Sequence, residues 1–149
     1  MCLAMYLFTD NEIKETEWNE KNPRMYIKNM KLKKEISYDT IGILKWNENN
    51  KNIFYIGSYE GCGCGWRSTR VYYGDKNTED GKQILYNKII DRRNLYKLLK
   101  SNIYNGSYII VCWEGDQGEE VKKTIKVSIK KVKKTNYEFN ELVKYILKE

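Results

Sequence analysis

Residues 53–67 of this 149-residue chain read IFYIGSYEGCGCGWR. The first four residues are apolar or aromatic and predict a buried strand, Ile53–Ile56. The next eleven hold two of the four cysteines and four of the ten glycines in the chain. An ordinary loop needs only one or two glycines to reach positive φ. The alternation therefore predicts a sharply turning backbone that points the thiols of Cys62 and Cys64 at one place.

A second strand, Ser107–Trp113, ends in a similar way. It runs into Glu114-Gly115-Asp116, so both strand exits place an aromatic ring, a carboxylate and a glycine at the rim of a sheet. Cys112 lies near this second exit, and a short apolar first strand, residues 2–8, begins at Cys2. If the first strand runs antiparallel to the other two, its start lies at the same rim as their ends. We therefore expect all four thiols to meet in one patch.

The rest of the chain predicts about two helices and two further strands. Met25–Met30 is a weaker strand candidate, and residues 35–46 fit a helix and a strand equally well. Asp80 and Gln83 have the spacing of a capping box, and they predict a helix that runs to about residue 103, before Asn105-Gly106. Apolar and lysine residues alternate over residues 125–130, which is typical of a strand with one solvated face.

The C-terminal segment predicts a last helix, which is capped at its start by Thr135 and Glu138. Its apolar face comprises Phe139, Leu142, Val143, Ile146 and Leu147. Because strands and helices do not alternate regularly, we expect one α+β domain over residues 1–149. Its sheet is mostly antiparallel, with about five strands and with two or three helices packed on one face.

Composition limits the partners and the compartment. The chain carries a net charge of +7, and its densest basic segment is Lys122–Lys134. Lysines on a solvated strand face explain that segment as well as a phosphate-binding surface does, and arginine is scarce, so nucleic acid is not favoured. No apolar run is long enough to cross a membrane, and no signal peptide begins the chain. We therefore expect a cytoplasmic protein with reduced thiols, without membrane association.

The cysteines fit a metal site as a first hypothesis. Cys2, Cys62, Cys64 and Cys112 supply four thiolates, which is the ligand number of a tetrahedral zinc site. However, strong zinc signatures use Cys-x₂₋₄-Cys pairs, whereas this chain has one Cys-x-Cys pair and no histidine. No cofactor is predicted from the pattern, and zinc is the metal to consider.

Nucleophilic catalysis is the second hypothesis. Arg67 and successive glycine N–H groups would lower the pKa of a thiol in the Cys62/Cys64 loop. Without histidine, a carboxylate has to act as the base, and the candidates are Glu60, Glu114 and Asp116. Cys2 also resembles the N-terminal nucleophile of class II glutamine amidotransferases, although 149 residues are few for that fold.

A binding pocket with structural cysteines is the third hypothesis and the preferred one. Glycine N–H groups form an anion-binding nest, aromatic rings stack on a flat ligand, and arginine binds a phosphate. The candidate ligand-binding residues are Ser58, Tyr59, Gly61, Gly63, Gly65, Trp66, Arg67, Arg70 and Trp113. They predict a homo-oligomeric protein that binds a small anionic, nucleotide-like molecule. Compact binders of this kind sequester nucleotide signals in phages and mobile elements, and the Lys-, Asn- and Ile-rich composition fits an AT-rich phage genome. A thiol- or metal-dependent enzyme is the alternative.

Three motifs also resemble a family of small, uncharacterised bacterial proteins. These are Met1-Cys2-Leu3-Ala4, the segment Gly57-Ser58-x-Glu60-Gly61-Cys62-Gly63-Cys64-Gly65-Trp66, and Cys112-Trp113-Glu114-Gly115-Asp116. The motifs cover about a fifth of the chain, and their order spans most of it. The family has no established activity, so the resemblance implies no catalytic residue.

Overall fold

The computed structural model describes residues 2–32, 38–70, 77–103 and 106–149. Over these residues it contains a six-stranded sheet and three α-helices. The strands are β1 (Leu3–Thr9), β2 (Tyr26–Asn29), β3 (Asn52–Gly57), β4 (Tyr108–Trp113), β5 (Lys123–Ser128) and β6 (Val143–Lys148). The helices are α1 (Tyr38–Leu44), α2 (Glu79–Lys100) and α3 (Ile129–Val132). The α+β class is confirmed. Helix α1 resolves most of the ambiguous segment 35–46, of which residues 35–37 lie outside the described part.

The strand order is β2-β3-β1-β4-β6-β5. Strand β1 pairs antiparallel with both β3 and β4, with Tyr6 opposite Tyr55 and Leu3 opposite Trp113. The start of β1 therefore shares one rim with the ends of β3 and β4, as expected from the sequence. The sheet has one more strand than predicted, and its outermost pair, β5 and β6, is parallel.

The two faces of the sheet bury separate apolar clusters. Leu3, Met5 and Leu7 face α2 and α3, where they meet Leu95 and Val132. We call this side the long-helix face. The alternate residues of β1, from Ala4 to Phe8, face Ile43 of α1 and Trp46, and we call this side the short-helix face. Because successive strand residues point to opposite faces, the apolar run of β1 fills both cores. Helix α1 thus covers the face opposite to α2 and α3.

Helix α2 begins two residues before the predicted position. Thr78 is the N-cap, and its hydroxyl accepts a hydrogen bond from the Gly81 N–H at 3.0 Å. Asp80 instead lies in the first turn, where a carboxylate interacts favourably with the helix dipole. The helix ends at Lys100, and its C-cap is Ser101 in a right-handed conformation. Gly106 has a positive φ of 74° but is not the C-cap that the sequence predicted. Among the described helices, none is both long and apolar enough to cross a membrane.

The predicted C-terminal helix is wrong, since this segment forms β6. Val143, Tyr145 and Leu147 are buried on the long-helix face and alternate with less buried neighbours. The apolar residues that have helical spacing in the sequence lie on both faces of this strand. The Asn140 N–H also donates to the Tyr145 hydroxyl at 2.6 Å, and Leu142 has a positive φ of 54°. A left-handed residue interrupts a helix, and it turns the chain into the strand between β4 and β5.

Candidate functional site: the Cys2–Cys62–Cys64 cluster

The loop after β3 is closed by Ser58. The Ser58 N–H and hydroxyl both donate to the Cys62 carbonyl, at 2.8 and 2.6 Å. The same hydroxyl oxygen accepts a hydrogen bond from the Gly65 N–H at 3.0 Å. Ser58 is fully buried. These bonds bring the start of the loop against the short 3₁₀ helix Gly63–Trp66 and fix the positions of the two cysteines.

Close packing explains two of the alternating glycines. A Cβ atom at Gly63 would lie 2.2 Å from the Leu3 carbonyl oxygen, and one at Gly65 would lie 2.3 Å from the Ser58 Oγ. Gly61 has a φ of +80°, which is the left-handed region that favours glycine. The glycines therefore let the loop lie directly on the start of β1, next to Cys2.

Three buried charged residues of α2 form hydrogen bonds with the backbone of this loop. The Asp91 carboxylate accepts hydrogen bonds from the Tyr59 N–H at 2.6 Å and the Met25 N–H at 2.7 Å. The Lys88 ammonium donates to the Gly65 and Arg67 carbonyls at 3.1 and 2.9 Å. Lys88, Asp91 and Arg92 are at most 1 % exposed. Burial lowers the pKa of Lys88 to about 8 and raises the pKa of Asp91 to about 6.

Arg92 ties the loop to the C-terminal part of the chain. Its guanidinium donates to four carbonyl oxygens, those of Trp66, Val132, Lys134 and Tyr137, at 2.8–3.1 Å. Such a fork of donors satisfies loop carbonyls that would otherwise be buried without partners. The sequence analysis missed these three helix residues. Their spacing with Leu95 and Leu99 was the available signal, because it places charges on the apolar stripe of α2.

The loop brings three of the four thiols together. The sulfur atoms of Cys2, Cys62 and Cys64 all lie within 4.8 Å of one another. All three residues are half-buried, and none forms a disulfide. Two of the sulfurs accept backbone hydrogen bonds at 3.4 Å, Cys64 from the Leu3 N–H and Cys62 from the Cys64 N–H. N–H groups that point at sulfur stabilise the thiolate form, and outer partners of this kind orient metal ligands.

Cys62 is a poor nucleophile in the metal-free protein. Burial, followed by the neighbouring thiols, raises the pKa of Cys62 to about 12. A thiol with such a pKa remains protonated at neutral pH, whereas catalytic cysteines have depressed pKa values. Burial raises the pKa of Tyr26 and Tyr55 as well, and the charges of Cys62 and Glu114 add to the effect.

Cys112 does not join the cluster. It is fully buried on the short-helix face and lies opposite Ala4 in the register of β1 and β4. Position 4 is two residues further into the sheet than Cys2, which corresponds to about 7 Å along a strand. The expectation that all four thiols meet therefore holds for three of them.

One of the three proposed carboxylate residues is hydrogen-bonded through its backbone to a cysteine of the cluster. This residue is Glu114, whose N–H donates to the Cys2 carbonyl at 2.7 Å. Its carboxylate does not belong to the group of potential ligands within 4.8 Å. Glu60 is exposed, and its negative charge partly offsets the lowering of the Lys88 pKa by burial. Asp116 belongs to the turn after β4, where its N–H donates to the Trp113 carbonyl.

The structure separates the proposed ligand-binding residues into two groups. Trp66 is fully buried, and its indole N–H donates to the Ile56 carbonyl at 2.9 Å, so its ring packs in the core. Tyr59 is 8 % exposed and Arg70 is exposed. Arg67 and Trp113 do come together, with the guanidinium 5.4 Å from the indole centroid. They line a cleft of 230 Å³ together with Leu3, Ser68, Glu138, Phe139, Asn140 and Glu141.

Comparisons with protein-family models, curated proteins and solved structures find no match to this chain. The chemistry of the site therefore rests on its own residues.

Proposed function

We propose that the protein binds one thiophilic divalent metal ion, with zinc as the first candidate, through Cys2, Cys62 and Cys64. The main support is that three sulfur atoms from two distant parts of the sequence lie within 4.8 Å of one another. Thiolates are the preferred ligands of such soft ions, and zinc accepts three protein ligands when a fourth position is left for water or a substrate.

The surroundings support a metal site more than an adventitious group of cysteines. A cluster of packing cysteines has no need for backbone N–H groups aimed at sulfur, yet two such bonds are present. Burying Lys88, Asp91 and Arg92 also costs desolvation energy. All three charges hold backbone groups of the segment 59–67. This supports a loop built for rigidity, which is what a preorganised ligand set requires.

Three thiolates leave a coordination position for a further group. A zinc ion bound in this way acts as a Lewis acid towards a ligand in its fourth position. The half-buried setting of the three cysteines gives such a ligand access from solvent. A metal-dependent enzyme and a metal-carrying binding protein both follow from this site.

The nucleotide-like ligand remains a prediction with weaker support. The Arg67–Trp113 pair fits an anionic aromatic ligand, but Glu138 and Glu141 line the same cleft and repel anions. The cleft measures 230 Å³, which is below the ~300–1,000 Å³ of most small-molecule sites. A role in sequestering nucleotide signals, and a homo-oligomeric state, depend on that prediction.

The test is a zinc titration of the reduced, metal-stripped protein in competition with a chromophoric chelator. We expect one zinc ion per chain. Cys2→Ala, Cys62→Ala and Cys64→Ala should each weaken zinc binding by at least ~100-fold, because each removes a ligand. Cys112→Ala is the matched control and should bind zinc like the wild type. Equal affinity in all four variants, or no binding by the wild type, would refute the proposal.

A further inference from the structure

We propose that a groove between α2 and the segment that follows α3 binds the phosphate backbone of a nucleic acid. Two stretches of the sequence contain no acidic residue, residues 92–113 and residues 121–137. The fold places them side by side, since Arg92 donates to the Val132 and Lys134 carbonyls. The Lys133 ammonium also lies 4.9 Å from the centroid of the Tyr96 ring.

The resulting surface concentrates positive charge. Its exposed cations are Arg93, Lys97, Lys100, Lys130, Lys131, Lys133 and Lys134. Among the described residues, the ion pairs involve Lys51, Lys122 and Lys144, and none of these seven. The solvent-exposed acidic residues of α2 are Glu79 and Asp80, in its first turn. Asp80 precedes Arg93 by thirteen residues, which corresponds to about 20 Å along a helix.

This arrangement changes the interpretation of the net charge. In the sequence as a whole, lysines are interspersed with nearly as many acids, which argued against a polyanionic partner. Among the described residues, none that lines the groove is acidic. Asp91, two residues before Arg93, is buried, and Glu138, four residues after Lys134, lines the separate cleft beside Arg67. The cations of this face thus act together as one basic surface.

The surface is concave at its centre. A groove of 490 Å³ is lined by Thr69, Arg93, Lys133, Lys134, Thr135 and Asn136, together with Ile89. Hydroxyl, amide and cationic groups of this kind are the usual donors to phosphate oxygens. Lysine acts as a point charge and does not form the bidentate fork that reads a base edge. The groove therefore suits the nucleic-acid backbone without sequence preference.

A lipid surface fits this face less well than a nucleic acid. Stable membrane attachment requires apolar side chains that insert beside the cations. Lys133 covers the Tyr96 ring here, Ile89 is half-buried, and Arg24 lies over the exposed Tyr86 ring further along α2. A groove also matches a rod-shaped polyanion better than a flat one.

The test uses fluorescence anisotropy with a labelled DNA duplex of about 20 base pairs at two salt concentrations. If the three cations that line the groove each contact one phosphate, raising the salt fourfold should weaken binding about 40-fold, from a slope of about −0.9 per contact. The variant Arg93→Glu/Lys133→Glu/Lys134→Glu should bind at least ~10-fold more weakly than the wild type. The control Lys14→Glu/Lys21→Glu/Lys45→Glu makes the same charge change at exposed positions elsewhere and should lose much less.

Urea unfolding of both variants establishes that they are folded. Absence of duplex binding by the wild type, or equal losses in the two variants, would overturn the proposal. Phosphatidylserine vesicles and polyglutamate serve as further probes. Binding of either that is as tight as that of the duplex, and equally sensitive to the groove variant, would assign the surface to a different partner. Zinc binding should be unchanged in the groove variant, so this proposal and the metal site succeed or fail separately.

Discussion

The contact between Gly63 and β1 offers the sharpest test of how the thiol cluster is built. In Gly63→Ala, the new Cβ would lie 2.2 Å from the Leu3 carbonyl oxygen and 2.8 Å from its carbon. Neither atom belongs to a flexible side chain, and Leu3 is paired with Trp113 of β4. The Cys62–Cys64 loop must therefore move away from the start of β1 by roughly 1.2 Å or more to reach an ordinary contact distance of 3.4 Å.

The cost of this movement follows from the packing. Forcing extra volume into a close-packed site typically costs about 1–3 kcal/mol, and a rigid backbone neighbour favours the upper end of that range. Such a loss is a substantial part of the ~5–15 kcal/mol that stabilises a typical domain. The same movement exceeds the ~0.5 Å tolerance of a preorganised site. We therefore expect zinc binding to weaken at least tenfold, or about 1.4 kcal/mol.

Two measurements separate these effects. Urea unfolding of the metal-stripped protein gives the change in the free energy of unfolding, and competition with a chelator gives the zinc affinity. Gly106→Ala is a control, because Gly106 has a φ of +74° and no atom of the described residues lies within 4 Å of the Cβ that alanine would add. That variant suffers backbone strain of about 1–2 kcal/mol and should bind zinc like the wild type. The account is refuted if Gly63→Ala is as stable as the wild type and binds zinc equally well.

Two further predictions concern the buried charges of α2. Arg92→Lys should lose about 3–5 kcal/mol of stability, because one ammonium cannot reach four carbonyls and leaves buried acceptors without donors. Arg93→Lys, at the exposed neighbouring position, is the control and should lose little stability. Equal melting temperatures for the two variants would contradict this prediction. Lys88 has a folded-state pKa of about 8, below the unfolded value of 10.5, so the unfolded chain binds the extra proton between these pH values. Stability relative to Lys88→Met should then rise with pH in this window by about 1.4 kcal/mol per pH unit, measured by urea unfolding, and a flat difference would disprove the desolvation of Lys88.

The sequence was sufficient for the strands that build the rim. Ile53–Ile56 and Ser107–Trp113 are continuous apolar runs, and such runs indicate buried strands whatever their neighbours are. The antiparallel direction of the first strand was assumed in placing Cys2 at this rim, and the pairing of β1 with β3 and β4 confirms it. The prediction of a C-terminal helix failed because Val143 and Leu147, four residues apart, share one face of either a helix or a strand. Ile146 completes the helical pattern but lies on the other face of the strand. The segment forms a strand because it pairs with β4 and β5 on either side in the sheet, and this tertiary pairing cannot be predicted from the local sequence.

The site could be located from the sequence, but its supports could not. Alternating Gly and Cys residues identify the loop, because few other patterns bring a backbone so close to a neighbouring strand. The exclusion of Cys112 depends on the register between β1 and β4, which the sequence does not specify. The burial of Trp66 was equally hidden, since an aromatic residue after a glycine-rich loop fits a ligand platform and a core anchor equally well.

X-ray absorption at the zinc edge of the zinc-loaded protein tests the central claim most directly. The account predicts three sulfur neighbours at about 2.3 Å, the usual zinc–thiolate distance, and one lighter atom in the fourth position. Loss of one sulfur neighbour in Cys64→Ala, with three retained in Cys112→Ala, would assign the ligands. A zinc environment of oxygen and nitrogen alone, or one unchanged by Cys64→Ala, would contradict the proposed three-cysteine centre.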